Sequence, residues 1–318
     1  MRDKYLFSNL IGMFIFNEHF NVIKSVMFRD IEEYNKREKY EKEFSKQYPD
    51  LKEASGEELK RILAFFKKKE YFKEFYNKNL VITKKSVKDS VKEDILITQA
   101  INNIGDIDRV INTLAKRLRE WYELYNPEFS HSLEKHEKFI ELILKKNKKE
   151  LLKEIMLSEE DSMGASLPKE DLQPILNLAE QIEGLFALRR EQEAYLEKTM
   201  SKLCPNMMAI TGATIGAKLL AQAGSLKRLA EFPASTIQLL GAEKALFRHL
   251  KTNARSPKYG FLHEHPLIMQ NKKEMHGKIA RALADKISIA ARVDYFKGKP
   301  IGDRLIKELQ HKFGKKDG

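Results

Sequence analysis

The residues best suited to chemistry lie between positions 241 and 260. They are Gly241-Ala242-Glu243-Lys244-Ala245-Leu246-Phe247-Arg248-His249-Leu250-Lys251-Thr252, then Arg255, then Ser256-Pro257-Lys258-Tyr259-Gly260. If Gly241 starts a helix, Lys244, Arg248, Lys251 and Arg255 fall at i, i+4, i+7 and i+11 and share one face. Leu246, Phe247 and Leu250 then point elsewhere, toward a core. Pro257 and Gly260 break the helix into a loop. A helix N-terminus beside a basic face suits phosphate, because free amide N–H groups and the dipole add to the side-chain charge. His249, Tyr259 and the nearby His263 supply flat rings that can stack on bases. The combination points to contact with RNA or DNA.

The charge distribution agrees. The 318 residues carry a net charge of +12. Residues 1–200 hold 36 Lys+Arg against 37 Asp+Glu, whereas residues 201–318 hold 22 against 9. The positive excess therefore lies in the last part of the chain, which calls for a polyanionic partner there. These cations cluster around Gly and Pro turns and not along one amphipathic stripe, which favours nucleic acid over a membrane surface.

Other chemistries fit poorly. The stretch from Gly212 to Lys218 lacks the Gly-Lys-Ser/Thr ending of a phosphate loop, and no strand precedes it. His263-Glu264-His265 has no companion ligands nearby in sequence and reads as an ordinary or RNA-facing loop. The single cysteine, Cys204, excludes an internal disulfide and a cysteine zinc site. No convincing Ser-His-Asp or Cys-His set is present. No segment approaches the ~20 apolar residues of a membrane span, and the first residues lack a signal-peptide core. A soluble intracellular protein, bound to no membrane, is expected.

Positioning elements can be read around this block. Residues 5–28 resemble a β-hairpin, with strand-like runs at 11–16 and 22–28 about a polar turn. Residues 30–78 read as charged helix, and Leu80-Val81-Ile82-Thr83 as a short strand. Ile97, Ala100, Ile104, Ile107, Ile111, Leu114, Leu118, Trp121 and Tyr125 then repeat at alternating spacings of three and four, a heptad seam stopped by Asn126-Pro127. Leu172, Ile175, Ala179, Ile182, Phe186, Arg189, Glu193, Leu196, Met200 and Leu203 repeat the spacing with two polar breaks. Two matched seams imply an antiparallel helical hairpin, whose tip at 127–167 carries the basic run Lys145-Lys146-Asn147-Lys148-Lys149. After Cys204-Pro205, Ala, Gly and Thr increase and no strand pattern follows. The expected fold is mainly α: a small α+β N-terminal domain (1–88), an antiparallel coiled-coil hairpin (89–204) and an all-α C-terminal domain (205–318).

Residues 233–248 (PASTIQLLGAEKALFR), 256–260 (SPKYG) and 277–294 (GKIARALADKISIAARVD) closely resemble the signature of the Nop-domain family. Residues 118–122 (LREWY) and 126–128 (NPE) resemble its coiled-coil region. The resemblance runs from about residue 90 to 310. Within the family the chain is similar to the archaeal scaffold of box C/D small ribonucleoproteins, which guide ribose 2′-O-methylation of RNA. A long Lys-rich tail of the eukaryotic nucleolar relatives is missing, so an archaeal, cytoplasmic protein is expected. The resemblance implies a non-catalytic subunit with several partners. Its N-terminal domain would hold fibrillarin, which uses S-adenosylmethionine; the chain itself would bind no cofactor and no metal. The coiled coil would pair two copies. The C-terminal domain would bind a box C/D guide RNA together with a ribosomal-type kink-turn-binding protein. Gly241 would allow close backbone approach, Lys244, Arg248, Lys251 and Arg255 would neutralise phosphates, and the 256–260 loop and His263 would lie near the RNA–protein junction. The alternatives are a spliceosomal-type relative with no methyltransferase partner, or a stand-alone RNA-modifying enzyme. The lack of a glycine-rich strand-turn-helix cofactor motif speaks against the latter.

Overall fold

A computed structural model describes residues 3–252 and 254–314. Asn253 and the terminal Lys315-Lys316-Asp317-Gly318 lie outside the described residues. The chain divides into two compact units, Met1–Val91 and Lys92–Gly318.

In the first unit, β1 (Lys4–Ser8), β2 (Gly12–Phe16), β3 (Val22–Met27) and β4 (Leu51–Glu53) form one sheet in the order β3-β2-β1-β4. Strands β1, β2 and β3 pair antiparallel, and β4 lies parallel to β1. Helices α1 (Ile31–Asn35), α2 (Arg37–Gln47), α3 (Gly56–Phe65) and α4 (Lys69–Asp89) complete the unit. Strand β2 is buried throughout because both its faces are covered. Phe14 and Phe16 pack with Ile62 of α3 and with Phe66, while Met13 and Ile15 pack with Phe28 and with Phe44 of α2. The period-two alternation of a strand thus serves two cores.

The hairpin of residues 5–28 is present as β2 and β3, but two strands lie beyond it. Strand β1 leads into the hairpin, and β4 interrupts the region read as continuous helix over 30–78. Helix then resumes at α3 through a capping box between Ser55 and Glu58. Leu80-Val81-Ile82-Thr83 is no strand; it lies inside α4.

The second unit is helical among its described residues. Helix α5 (Glu93–Glu123) is followed by a lobe of α6 (Pro127–Ser132), α7 (His136–Lys145) and α8 (Lys148–Glu154), and then by α9 (Lys169–Leu203). Helices α5 and α9 run antiparallel, since Lys202 meets Glu93 at one end and Arg189 meets Asp108 further along. Residues 127–167 do not simply extend the tip. Phe129, Phe139, Ile140, Ile143 and Leu151 join the hairpin core. Arg119 ties the lobe down: its Nε donates to His136 Nδ1 (2.9 Å) and its guanidinium lies 4.4 Å from the Phe139 ring.

The observed seam departs from the heptad spacing. Ile104, Ile107, Ile111 and Leu118 are buried, as are Ile175, Ala179 and Ile182. Beyond Ile111, however, the inward positions are Ala115, Leu118 and Tyr122. Leu114 and Phe186 are only partly buried, and Trp121 is exposed. A straight helix drifts relative to a strict seven-residue repeat, and α5 takes one extra residue to stay on the core. The polar break at Arg189 is filled by charge: its guanidinium meets Asp108 (2.5 Å) and Glu193 (3.0 Å).

The remaining helices are α10 (Pro205–Ala223), α11 (Leu226–Glu231), α12 (Ala234–Leu239), α13 (Glu243–Lys251), α14 (Pro266–Met269), α15 (His276–Tyr295) and α16 (Gly302–Phe313). Ile97 to Ile104 and Leu196 to Cys204 share one core with α10 and α15, so the segments 89–204 and 205–318 are not packed separately. Burial pushes the Cys204 thiol pKa up. Gly212 breaks the helical backbone of α10 (φ 70°) in the stretch that superficially resembled a phosphate loop. Asp294 locks three helices together. Its carboxylate accepts from Asn206 N–H (3.1 Å), Asn206 Nδ2 (2.7 Å) and Met207 N–H (2.9 Å), while Asn206 Oδ1 accepts from Ile301 and Gly302 N–H.

Candidate nucleic-acid interface

The turn before α13 depends on two glycines. Gly241 has φ +87°, and a Cβ there would sit 2.8 Å from the Phe261 ring. At Gly260 a Cβ would lie 1.9 Å from the Leu240 carbonyl oxygen. The end of α12 and the 258–261 segment are stitched together: Gly260 N–H donates to Gln238 O (3.0 Å), Phe261 N–H to Leu240 O (2.8 Å), and Gln238 Nε2 to Lys258 O (2.6 Å). Larger residues would part the segments, so glycine is required here for approach as well as for backbone angle.

Gly241 does not start the helix. It forms the turn, Ala242 precedes the first helical residue Glu243, and Glu243 Oε1 accepts from Gly241 N–H (2.9 Å). A carboxylate is thus set in the first turn, where the dipole favours it. Lys244, Arg248 and Lys251 share one exposed face of α13, as the spacing requires, with Ala245 also exposed. The helix stops at Lys251, so Arg255 lies on the following segment, where it is exposed, and not on the helix. Lys258 is exposed on the loop. None of these five cations has a carboxylate partner among the described residues, in contrast to Lys218, held by Glu264, and Lys286, held by Glu308.

The apolar side of α13 faces solvent, against expectation. No residue of α13 is buried; Phe247 is 62% and Leu250 70% exposed, and Leu246 is intermediate. The helix therefore presents its basic and apolar sides together. Nor is His249 a free ring: its Nδ1 donates to Ala254 O (2.6 Å), and Thr252 Oγ1 donates to Arg248 O (2.8 Å), closing the end of the helix. Tyr259 and His263 do stack, at 5.3 Å and 18°, with His263 exposed, and His276 lies against both rings. This ring set adjoins the loop that carries Lys258.

His265 plays no part on the surface. It is buried, its Nδ1 accepts from Leu267 N–H (3.2 Å), and its Nε2 donates to Ile210 O (2.8 Å). Burial lowers its pKa, which keeps it neutral. No group of His, Cys, Asp or Glu side chains that could hold a metal occurs among the described residues. Three of the four lysines in the basic run at 145–149 face carboxylates, and the fourth a backbone carbonyl. Lys145 meets Glu141 (2.8 Å), Lys146 meets Glu154, Lys149 approaches Glu159 (3.9 Å), and Lys148 donates to Gly164 O (3.0 Å). Sequence reasoning missed Gln238, Phe261 and His276, whose contacts with the turn and its rings cross many positions in sequence. No described helix is long and apolar enough to cross a membrane.

The Nop family model, described as "snoRNA binding domain, fibrillarin", matches residues 103–315. A NOP5 family protein of Methanocaldococcus jannaschii is 42% identical over 262 residues, covering 78% of this chain and 62% of its own length. Nucleolar protein 58 of Neosartorya fischeri is 41% identical over 217 residues, covering 64% of this chain and 37% of its own. A chain in the crystal structure of a fibrillarin/Nop5p complex aligns over 77% of this chain and 79% of its own, at 27% identity and a TM-score of 0.45. This chain thus spans less than two thirds of the length of the curated relatives it matches. The family model covers the hairpin from within α5 and continues through the glycine-built basic turn to α16, and by that match the chain belongs to the Nop family.

Proposed function

We propose that the chain is the scaffold of a box C/D guide ribonucleoprotein. It would hold the methyltransferase fibrillarin at a fixed reach from an RNA to be ribose-methylated. The observation that carries this reading is the exposed set Lys244, Arg248, Lys251, Arg255 and Lys258, none paired with a carboxylate among the described residues, around a turn built on glycine. Such a surface neutralises phosphates. The Tyr259–His263 stack beside it suits unpaired bases at the junction of guide RNA and kink-turn-binding protein.

The chain would contribute no catalytic group. Its effect on rate would be proximity and orientation. S-adenosylmethionine would belong to the partner enzyme, and the particle to an archaeal cytoplasm. Two copies would pair through α5. Val110, Leu114, Trp121 and Leu124 fall at i, i+4, i+11 and i+14, a second apolar stripe beside the intrachain core, and three of them are exposed. Reconstitution tests the reading. Fibrillarin, the kink-turn-binding protein, guide RNA and S-adenosylmethionine should methylate a complementary RNA only when this chain is added. Methylation by the purified chain with S-adenosylmethionine alone would overturn it.

A further inference from the structure

Helix α15 closes with a residue that the backbone disfavours. Its last residue is Tyr295. Lys297 N–H then donates to Asp294 O (3.3 Å) and Gly298 N–H to Val293 O (2.8 Å), the hydrogen bonds of a helix ended by one left-handed residue. Glycine is the usual occupant of that position, yet here it is Lys297, with φ +53°. The glycine stands one place later, at 298, where a Cβ would lie 3.1 Å from Val293 Cγ1. Beside the lysine, Phe296 is 76% exposed, and its ring meets Tyr295 edge-on at 4.9 Å. Slack does not explain that exposure. Asn206 Nδ2 donates to Asp294 just before the turn, and Asn206 Oδ1 accepts from Ile301 N–H (2.6 Å) and Gly302 N–H (2.9 Å) just after it. One side chain thus pins both ends of the loop 295–300, and the ring is held in water.

Cations surround the ring. Arg292, Lys297 and Lys299 are exposed, and none is paired with a carboxylate among the described residues. Arg292 Nε donates to Ala230 O (3.1 Å), which fixes the guanidinium beside α11. Glu93, an acid whose field reaches Lys297, is itself paired with Lys202 (3.3 Å). The helix dipole accounts for a cation next to the last turn, such as Lys297. It accounts neither for Lys299 nor for the exposed phenylalanine. An apolar pocket on a protein would take the ring and leave three cations without counter-charge. A single strand of RNA satisfies both, because a base stacks on the ring while the flanking phosphates meet the cations. The loop follows the last residue of α15, whereas His276 of the Tyr259–His263 ring set is its first; a helix of 20 residues sets the two sites about 30 Å apart.

We propose that the loop 295–300 is a second RNA-binding site, which takes a single-stranded segment with one base on Phe296 and phosphates on Arg292, Lys297 and Lys299. It goes beyond the kink-turn reading and does not depend on it. The full chain would be titrated by fluorescence anisotropy with two RNAs. One is a uridine oligonucleotide of ~8 nucleotides, whose bases are free to stack on a ring. The other is a kink-turn RNA carrying its binding protein. Phe296→Ala should weaken oligonucleotide binding by at least about 5-fold, with the melting temperature unchanged because the ring is exposed. Lys297→Gly should weaken it about 5-fold at ~0.1 M salt, while the melting temperature rises, because glycine takes the left-handed conformation without strain. A lysine that serves only the fold cannot give that combination. Both losses should persist when Arg248 and Lys251 are replaced by alanine, which removes α13 as the binding surface. Neither variant should alter affinity for the kink-turn complex.

Unchanged oligonucleotide affinity in the Phe296→Ala and Lys297→Gly chains, or no oligonucleotide binding by the unmodified chain, would overturn the second site while leaving the scaffold reading intact. Failure on the kink-turn complex, with loop-dependent oligonucleotide binding preserved, would overturn the scaffold reading and leave this site standing. A lower melting temperature for Lys297→Gly with unchanged affinity would make the lysine a helix cap and nothing more. Equal losses on both RNAs would merge the loop with the first site. Loss of self-association with oligonucleotide binding unchanged would assign the loop to a second copy, and either result would equally overturn the proposal.

Discussion

Replacing Arg248 and Lys251 together by alanine isolates the electrostatic part of RNA binding. Both side chains are exposed on α13 and lack an ion pair among the described residues. The helix they leave has no buried residue and gains helix propensity from alanine, so stability should move by no more than about 0.5 kcal/mol. Each cation neutralises about one phosphate. Its loss should make the slope of log K against log salt shallower by ~0.7 on single strands and ~0.9 on duplex. For the pair the slope should flatten by about 1.4–1.8. Counted from a 1 M reference, affinity at ~0.1 M salt should drop roughly 25- to 60-fold, and at ~0.5 M only about 3-fold. The assay is fluorescence-anisotropy titration of a kink-turn RNA, with its binding protein present, at several salt concentrations. The control is Lys145→Ala with Lys149→Ala, whose lysines face Glu141 and Glu159 and should leave the slope unchanged. A double variant at 248 and 251 with the unmodified slope would remove both residues from the phosphate contacts and refute the reading of α13.

Three further predictions concern the frame. Leu118→Asp places a charge where the side chain is fully buried, and should cost more than about 4 kcal/mol in thermal unfolding; Leu114→Asp, at a partly buried position, should cost far less, and equal losses would restore the strict heptad seam. Asp294→Ala orphans the donors on Asn206 and Met207, and should lower stability by roughly 3–5 kcal/mol; an unchanged melting curve would remove Asp294 as the lock. His136 has its pKa lowered by burial, then by Arg119 and Lys116, so the folded state takes up its proton less readily than the unfolded chain. Its contribution is complete above the ordinary value of 6.5 and is lost as pH falls below it, so the melting temperature should drop between about pH 7 and 5. His136→Gln should flatten that dependence, and an identical pH profile would contradict the assignment.

The hairpin was legible because a 3,4 spacing of apolar residues records burial on a helix whatever its partner. It blurred beyond Ile111, where two apolar stripes run side by side. Ala115 and Tyr122 face the core, while Leu114 and Trp121 belong to the other stripe, and a sequence read in heptads steps from one to the other. Leu80-Val81-Ile82-Thr83 misled for a related reason. Apolar residues in a row read as core, yet on α4 Leu80 and Val81 face solvent. Strand β4 is three residues long and pairs in parallel with β1, more than forty positions away, which leaves no local signal. At the site, spacing alone located Lys244, Arg248 and Lys251. It could not reveal Phe261 under Gly241 or Gln238 holding the 258–260 segment, because those contacts are made by the fold and not by neighbours in sequence.

The central claim is that the basic turn recognises RNA together with a kink-turn-binding protein. It is tested most directly by a gel-shift titration of the purified chain on a kink-turn RNA with and without that protein. The account predicts tight binding only when the protein is already on the RNA. Equal binding in its absence would contradict the account and make residues 241–263 a general basic RNA-binding surface.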